Sequence, residues 1–287
     1  MLSLIPARTE REAMDWSLVL VSQGIETSIQ RDSETGRWNL AVLGADSPRA
    51  EAAIRQYRIE NQRRFWRRNL PWTGLIFDWR CLVWFLFLIQ LFALGESPMS
   101  HLKSAGIMDS KAVWQGEWWR LFTAVTLHSD LAHLISNVTT GLLLLGLAMG
   151  SFGPGFGLLA AFLAGAGGNL AGLFLHSANH RGLGTSGMIM GALGMLAVQS
   201  LALVRDRFHL RQLLVRGLGG GVLLLVLFGT NPDSDVLAHV AGFASGCLLG
   251  GVLLLLPDKV IQSGWGNRLA LLACVGLVAL AWAVALR

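Results

Sequence analysis

Four polar side chains stand out in a sequence otherwise rich in apolar runs: Ser186, His239, His133 and Asn137. Together they have the chemistry of acyl transfer. A serine hydroxyl is a poor nucleophile until a base takes its proton during attack, and a neutral imidazole can do this near neutral pH. Ser186 and His239 could form that pair. Attack on a carbonyl then leaves a negative oxygen, which needs hydrogen-bond donors aimed at it. His133 and Asn137 are four residues apart in "LAHLISN", so a helix sets them on one face, and both can donate. The backbone N–H of Ser186 is a third candidate donor.

The string around Ser186, "GLGTSGMIMG", also satisfies a dinucleotide-binding spacing through Gly182, Gly184 and Gly187. That spacing has physical meaning only where a soluble strand runs into a helix N-terminus, and no such strand precedes it. The elements around the four residues are of another kind. Of 287 residues, 53% are hydrophobic and only 14% are charged, and the charges concentrate in residues 1–70, ahead of long apolar runs that start near Trp79. This asymmetry reads as a small soluble domain followed by a membrane domain. The opening "MLSLIPARTERE" lacks a basic stretch followed by an apolar one, so no cleaved signal peptide is expected. Cys81, Cys247 and Cys274 are scattered through apolar segments without metal-ligand spacing and read as small buried hydrophobes. Neither a metal nor an organic cofactor is implied. The net charge of +5 comes from basic clusters that flank apolar spans, which fits orientation in a bilayer better than binding to nucleic acid.

A hydrocarbon core of about 30 Å takes around 20 helical residues, which gives seven candidate spans near 75–95, 131–151, 155–175, 184–204, 211–229, 235–257 and 266–286. Basic residues precede the first span, lie between the fourth and fifth in "VRDRFHLRQLLVR", and continue at Lys259 and Arg268 between the sixth and seventh. The positive-inside rule then places the N-terminus in the cytoplasm and the C-terminus outside. Ahead of the spans, Thr9 with Glu12 makes a capping-box pattern, "WSLVLVS" and "IETSIQR" read as strands around Gly24, and "ETGR" reads as a turn before "WNLAVL". Ser47 reads as the cap of a helix that Pro48 opens. This N-terminal module shows no catalytic constellation, and its partner is not legible. The segment 96–130, with "VWQGEWWRLFTAV", is long for a loop and reads as interfacial structure.

In this arrangement Ser186, His239, His133 and Asn137 fall on three helices, all entered from the outside, and lie roughly 3–12 Å below one face. Polar groups within spans are costly and mark a site facing the bundle interior. His239 shares a helix face with Gly242, Gly246 and Gly250, while Gly187 and Gly191 give the serine's helix a small-xxx-small surface, so the two can approach closely. With no acidic residue inside a span to orient His239, the pair reads as a dyad. "NVT" at Asn137 matches a glycosylation sequon, but its place in a span argues against that use.

With these residues assembled, the chain resembles the rhomboid intramembrane serine proteases over roughly residues 75–257. Gly184-Thr185-Ser186-Gly187 is similar to the family's GxSG, "AHVAGFASG" to its A-H-x-x-G-x-x-x-G, His133 to Asn137 to its H-x-x-x-N, and "EWWR" ending at Arg120 to the W-R element of its first external loop. The resemblance implies an all-α polytopic membrane protein, a six-span rhomboid helical bundle plus one C-terminal span, preceded by a small soluble α+β domain. The corresponding ranges are 1–70, 71–258 and 259–287. It implies Ser186 as nucleophile, His239 as general base, His133 and Asn137 as the oxyanion hole, Gly184 as part of the motif backbone, and His128 near the substrate entrance. Trp119 and Arg120 would shape the loop. Met190 departs from the family's usual Tyr or Phe four residues after the serine, which bears on the stiffness of the dyad.

The expected activity is hydrolysis of peptide bonds in or near transmembrane segments of membrane-protein substrates, in a bacterial inner membrane, with the site open to the outer face. A helical substrate must unwind locally to expose its carbonyls, which favours poor helix formers near the scissile bond. "GTNPDSD" reads as a movable cap over the site. Two rival readings are a catalytically inert rhomboid-like protein that binds membrane clients and a small channel or transporter; the latter is weakened by the absence of an internal repeat.

Overall fold

The computed structural model describes residues 2–32, 36–61, 76–97, 100–175, 179–204, 219, 221–222, 226 and 235–287. The chain divides into two compact units, Met1–Pro71 and Trp72–Arg287.

In the first unit, strands β1 (Leu2–Ala7), β2 (Thr27–Arg31) and β3 (Trp38–Leu43) form an antiparallel sheet in the order β1-β3-β2, with helices α1 (Glu10–Ser22) and α2 (Ser47–Asn61) packed against it. The segment "WSLVLVS", expected as a strand, is the second half of α1. The Thr9 hydroxyl accepts the Glu12 N–H at 3.2 Å and starts the helix, and Ala13, Trp16 and Leu20, three and four residues apart, are its buried face. The Glu12 carboxylate returns to the Arg8 N–H at 2.7 Å rather than to Thr9. β1 was not anticipated; it supplies the second partner of β3, with Leu4 opposite Ala41. Ser47 is not a cap: its backbone is already helical (φ −54°, ψ −45°), because a short 3-10 turn at Gly44–Asp46 leads straight into α2. Residues 34 and 35 of the "ETGR" turn lie outside the described residues; Gly36 has φ +66° and its N–H donates to Asp32 O at 2.9 Å.

The second unit is helical. Its long elements are α3 (Cys81–Gly95), α7 (Leu131–Phe152), α8 (Pro154–Leu175), α9 (Ser186–Val204), α10 (Val236–Leu254) and α11 (Gly264–Ala285). By length and composition α7, α8, α10 and α11 can cross a membrane, and α3 and Ser186–Ala202 are shorter apolar helices. The expected span at 211–229 lies outside the described residues except for 219, 221, 222 and 226, and residues 229–234 of the expected cap lie outside them. Between α3 and α7 the chain forms α4 (Leu102–Gly106), β4 (Met108–Asp109), α5 (Ser110–Trp114), α6 (Arg120–Thr123) and a 3-10 turn at Ala124–Thr126.

Glycines let α8, α9 and α10 meet backbone to backbone. A Cβ on Gly242 would run into the Gly187 carbonyl, and one on Gly246 into the Gly191 carbonyl. A Cβ on Gly165 would lie 3.0 Å from Met188 N. Only small residues permit such crossings, and in a bilayer the gain is van der Waals contact rather than hydrophobic burial.

α11 is fixed at its start by a long-range cap. Pro154 opens α8, and the Gly155 and Phe156 N–H groups donate to Asn267 Oδ1 at 3.0 and 3.4 Å. Asn267 Nδ2 donates in turn to Ile261 O at 2.6 Å and Ser263 O at 3.1 Å. Asn267→Ala leaves these groups without their partners, so it is expected to destabilise the protein by about 2–3 kcal/mol. A thermal melt in detergent checks this, and an unchanged midpoint would dismiss the cap as a stabilising contact.

Candidate active site

The segment between α3 and α7 is a folded platform. Arg120 donates to Ser104 O at 3.0 Å, Ile107 O at 2.8 Å and the Glu117 carboxylate at 2.6 Å, while Thr123 Oγ1 donates to Gly106 O at 2.7 Å. From α11, the Trp282 indole N–H donates to Thr126 Oγ1 at 3.1 Å. The "EWWR" element thus ties the segment to itself, and a residue near the end of the last helix braces it.

That platform holds the approach to Ser186. β5 (Arg181–Gly182) pairs antiparallel with β4, and Arg181 donates to Asp109 Oδ2 at 2.8 Å. The guanidinium beside Asp109 holds its carboxyl below the usual range. The Gly184 N–H then donates to Ala124 O at 3.0 Å, and Thr185 Oγ1 donates to Val125 O at 2.7 Å. Gly184 has φ +137°, a conformation that favours glycine. A Cβ there would lie 2.9 Å from His133 Nε2 and 3.6 Å from Ser186 Oγ, so the two side chains share the space over Gly184. Ser186 is the first residue of α9, where backbone N–H groups have no partner within the helix.

His239 stands on α10, close behind its cap. Asp235 Oδ1 accepts the Ala238 N–H at 2.9 Å, and the His239 N–H donates to Asp235 O at 3.1 Å. His239 is buried, 4% exposed. Its helix meets that of the serine at this level: a Cβ on Gly187 would sit 3.6 Å from Ala238 O. Asp235 Oδ2 also lies 2.9 Å from His180 Nε2, a link from the base's helix to the strand before the serine. Neither His180 nor Asp235 was singled out from the sequence.

His133 lies in the first turn of α7, whose cap Asp130 accepts the His133 N–H at 2.9 Å. The side chain interacts electrostatically with His239, which brings α7 to the same locus. One turn further along, Asn137 is 6% exposed, and its Nδ2 is buried without a hydrogen-bond partner among the described residues. A buried free amide donor is costly unless something occupies it. His128 is fully buried with its ring 5.2 Å from that of His133, and both of its nitrogens are unpartnered among the described residues. Burial pushes the His128 imidazole down to about 3, His133 adding to the shift and Asp130 opposing it, so the ring is neutral at ordinary pH.

The structure therefore gathers Ser186, Gly184, His133 and His128, and sets Asn137 and His239 on the helices adjoining them. Met190 is buried in the helical core, 2% exposed. Among the described residues no three His, Cys, Asp or Glu side chains converge as a metal site. The caps Asp130 and Asp235 were missed although the sequence signals both: "SDLAH" and "SDVLAH" each place an aspartate where a helix N-cap belongs.

Residues 115–256 match the model of a family described as the Rhomboid domain. The chain is 34% identical to RHOMBOID-like protein 4 of Arabidopsis thaliana over 185 residues, covering 61% of this chain and 43% of that protein. It is 32% identical to Rhomboid protease GluP of Bacillus subtilis over 196 residues, covering 65% of this chain and 35% of GluP. A third relative, RHOMBOID-like protein 6, mitochondrial, of Arabidopsis thaliana, is 33% identical over 186 residues, with 60% and 54% covered. The chain spans less than half the length of the first two.

Proposed function

Since this chain belongs to the rhomboid family and is an integral membrane protein, we propose that it is an intramembrane serine endopeptidase that cleaves peptide bonds in or near the transmembrane segments of other membrane proteins. The observation that carries the reading is Gly184: its left-handed turn ahead of α9 leaves His133 Nε2 and Ser186 Oγ over the same small space, 2.9 and 3.6 Å from where a Cβ would stand, against the helix that bears His239. In this mechanism His239 takes the Ser186 proton as the hydroxyl attacks the substrate carbonyl, and later returns it to the leaving amine. Asn137 Nδ2, His133 and the Ser186 N–H stabilise the oxyanion. His128 lines the substrate entrance. A substrate helix unwinds locally before its carbonyl can reach Ser186.

The catalytic core is proposed to have six spans, including 211–229, with α11 as a seventh. Residues 1–70 would lie in the cytoplasm and the site would open to the outer face of a bacterial inner membrane. Rhomboid protease GluP supports the activity by its name, and the retention of both Ser186 and His239 favours a protease over an inert client-binding relative.

The deciding experiment needs no substrate. The purified protein in detergent is treated with a fluorophosphonate probe, beside an active rhomboid protease as positive control, and the labelled residue is mapped by mass spectrometry. Modification at Ser186 is the expected result; a folded protein that stays unlabelled while the control reacts would turn the assignment to the inert reading. Asn137→Ala is expected to slow substrate cleavage by on the order of 10²-fold, the usual cost of one oxyanion donor, with the melting curve little changed. Wild-type kinetics in that variant would remove Asn137 from the oxyanion hole.

A further inference from the structure

His133 is held by a hydrogen-bond chain that starts ahead of its helix. Ser129 Oγ lies 2.7 Å from Asp130 Oδ2 and 3.0 Å from His133 Nδ1. The two carboxylate oxygens of Asp130 divide the work, Oδ1 capping α7 and Oδ2 meeting Ser129. The Ser129 hydroxyl, and after it the His133 backbone N–H, hold the Asp130 carboxyl below its ordinary range, so it is ionised at neutral pH. An ionised carboxylate only accepts, and a serine hydroxyl has a single proton. That proton goes to Asp130. The Ser129 oxygen then has only lone pairs to offer His133, so the 3.0 Å bond requires the proton on Nδ1. In a neutral ring Nε2 is left bare, and Nε2 lies over Gly184, 2.9 Å from where a Cβ would stand, with Ser186 Oγ 3.6 Å from the same point.

We infer that Ser129 and Asp130 are positioning residues of the Ser186 site: their chain fixes His133 as the Nδ1–H tautomer and turns Nε2 toward the nucleophile as a hydrogen-bond acceptor. The inference rests on the site reading given above and refines it. A neutral His133 in this state accepts from a water or from the serine hydroxyl, and it donates to an oxyanion only after Nε2 has gained a proton. Asn137, with its unpartnered buried amide, is the side-chain donor ready at rest. The tautomer of a histidine is set by the bond its other nitrogen makes, and here that bond leads to a carboxylate through one hydroxyl.

The test is nitrogen NMR of the full chain carrying 15N-histidine, in detergent at about pH 8, where an unperturbed imidazole is neutral. The His133 signals are identified by their loss in His133→Gln. Nδ1 is expected in the protonated range and Nε2 in the unprotonated range. Ser129→Ala keeps the Asp130 cap and is expected to move both resonances toward the averaged values of a ring exchanging between tautomers, while Ser129→Thr restores them. A protonated Nε2 in the wild type overturns the inference, as does Ser129→Ala with unaltered His133 resonances. If Ser129→Ala fails to fold, the wild-type and Ser129→Thr spectra still decide. The spectra read the tautomer without turnover, so their outcome is separate from that of Ser186 labelling, on which the protease reading stands.

Discussion

His239→Ala is expected to leave a folded protein whose Ser186 no longer reacts, with fluorophosphonate labelling and substrate cleavage both reduced by roughly 10⁴-fold or more. The size of the effect follows from the loss of the proposed base. A serine hydroxyl does not ionise at neutral pH, so the attacking oxygen needs a base within reach as the new bond forms. His128 is buried with its imidazole held near 3, too weak a base to take over, and His133, whose Nε2 is the acceptor inferred above, is tested by adding His133→Gln: residual labelling in His239→Ala that the second change removes belongs to that ring. Trimming the buried His239 ring leaves a small void at the start of α10, and the Asp235 cap on Ala238 survives. Melting curves of variant and wild type should therefore be close. If the folded variant labels at the wild-type rate, His239 is not the base, and the dyad must be sought elsewhere.

The second large effect lies at the crossing of α9 and α10. Gly246→Leu is expected to abolish the folded, labelled protein, because the new Cβ alone would collide with the Gly191 carbonyl, a backbone atom that cannot rotate away. Overpacking a core with flexible neighbours costs about 1–3 kcal/mol, and a backbone clash exceeds that range. The proper control is Gly251→Leu on the same helix, where a Cβ meets nothing within 4 Å. Size-exclusion profiles and Ser186 labelling of the two variants make the comparison. Equal behaviour of both would mean that the close crossing does not hold the serine's helix in place.

The contrast between these sites shows what a sequence can and cannot carry. Gly242, Gly246 and Gly250 repeat at helical spacing beside His239, so the close crossing is legible in the sequence itself. Ser186, His133 and Asn137 were legible for a related reason: helical pitch fixes how far each lies from the start of its own element. Asn267 was not, because the α8 amides it caps are 111 and 112 residues away in sequence and only the fold brings them near. His180 and Asp235 likewise meet across two elements. The misreading of Trp16–Ser22 has a local cause: "WSLVLVS" is short and apolar enough to suit a strand, and what decides for helix is the Thr9 cap upstream together with the pocket that receives Trp16 and Leu20.

Three long helices begin around the site: α7 at Leu131, α9 at Ser186 and α10 at Val236. The peptide dipoles of a helix sum to about half a positive charge at its N-terminal end. Asp130 and Asp235 set a carboxylate against two of these ends. The third, on which the serine itself stands, is preceded by Thr185, whose hydroxyl is turned away to Val125 O. Among the described residues, the one of these three ends without a countering carboxylate is thus the one where, in the proposed mechanism, a tetrahedral intermediate would place its negative oxygen. Where water is scarce such a field is weakly screened, so the fold biases this point toward negative charge before any substrate arrives.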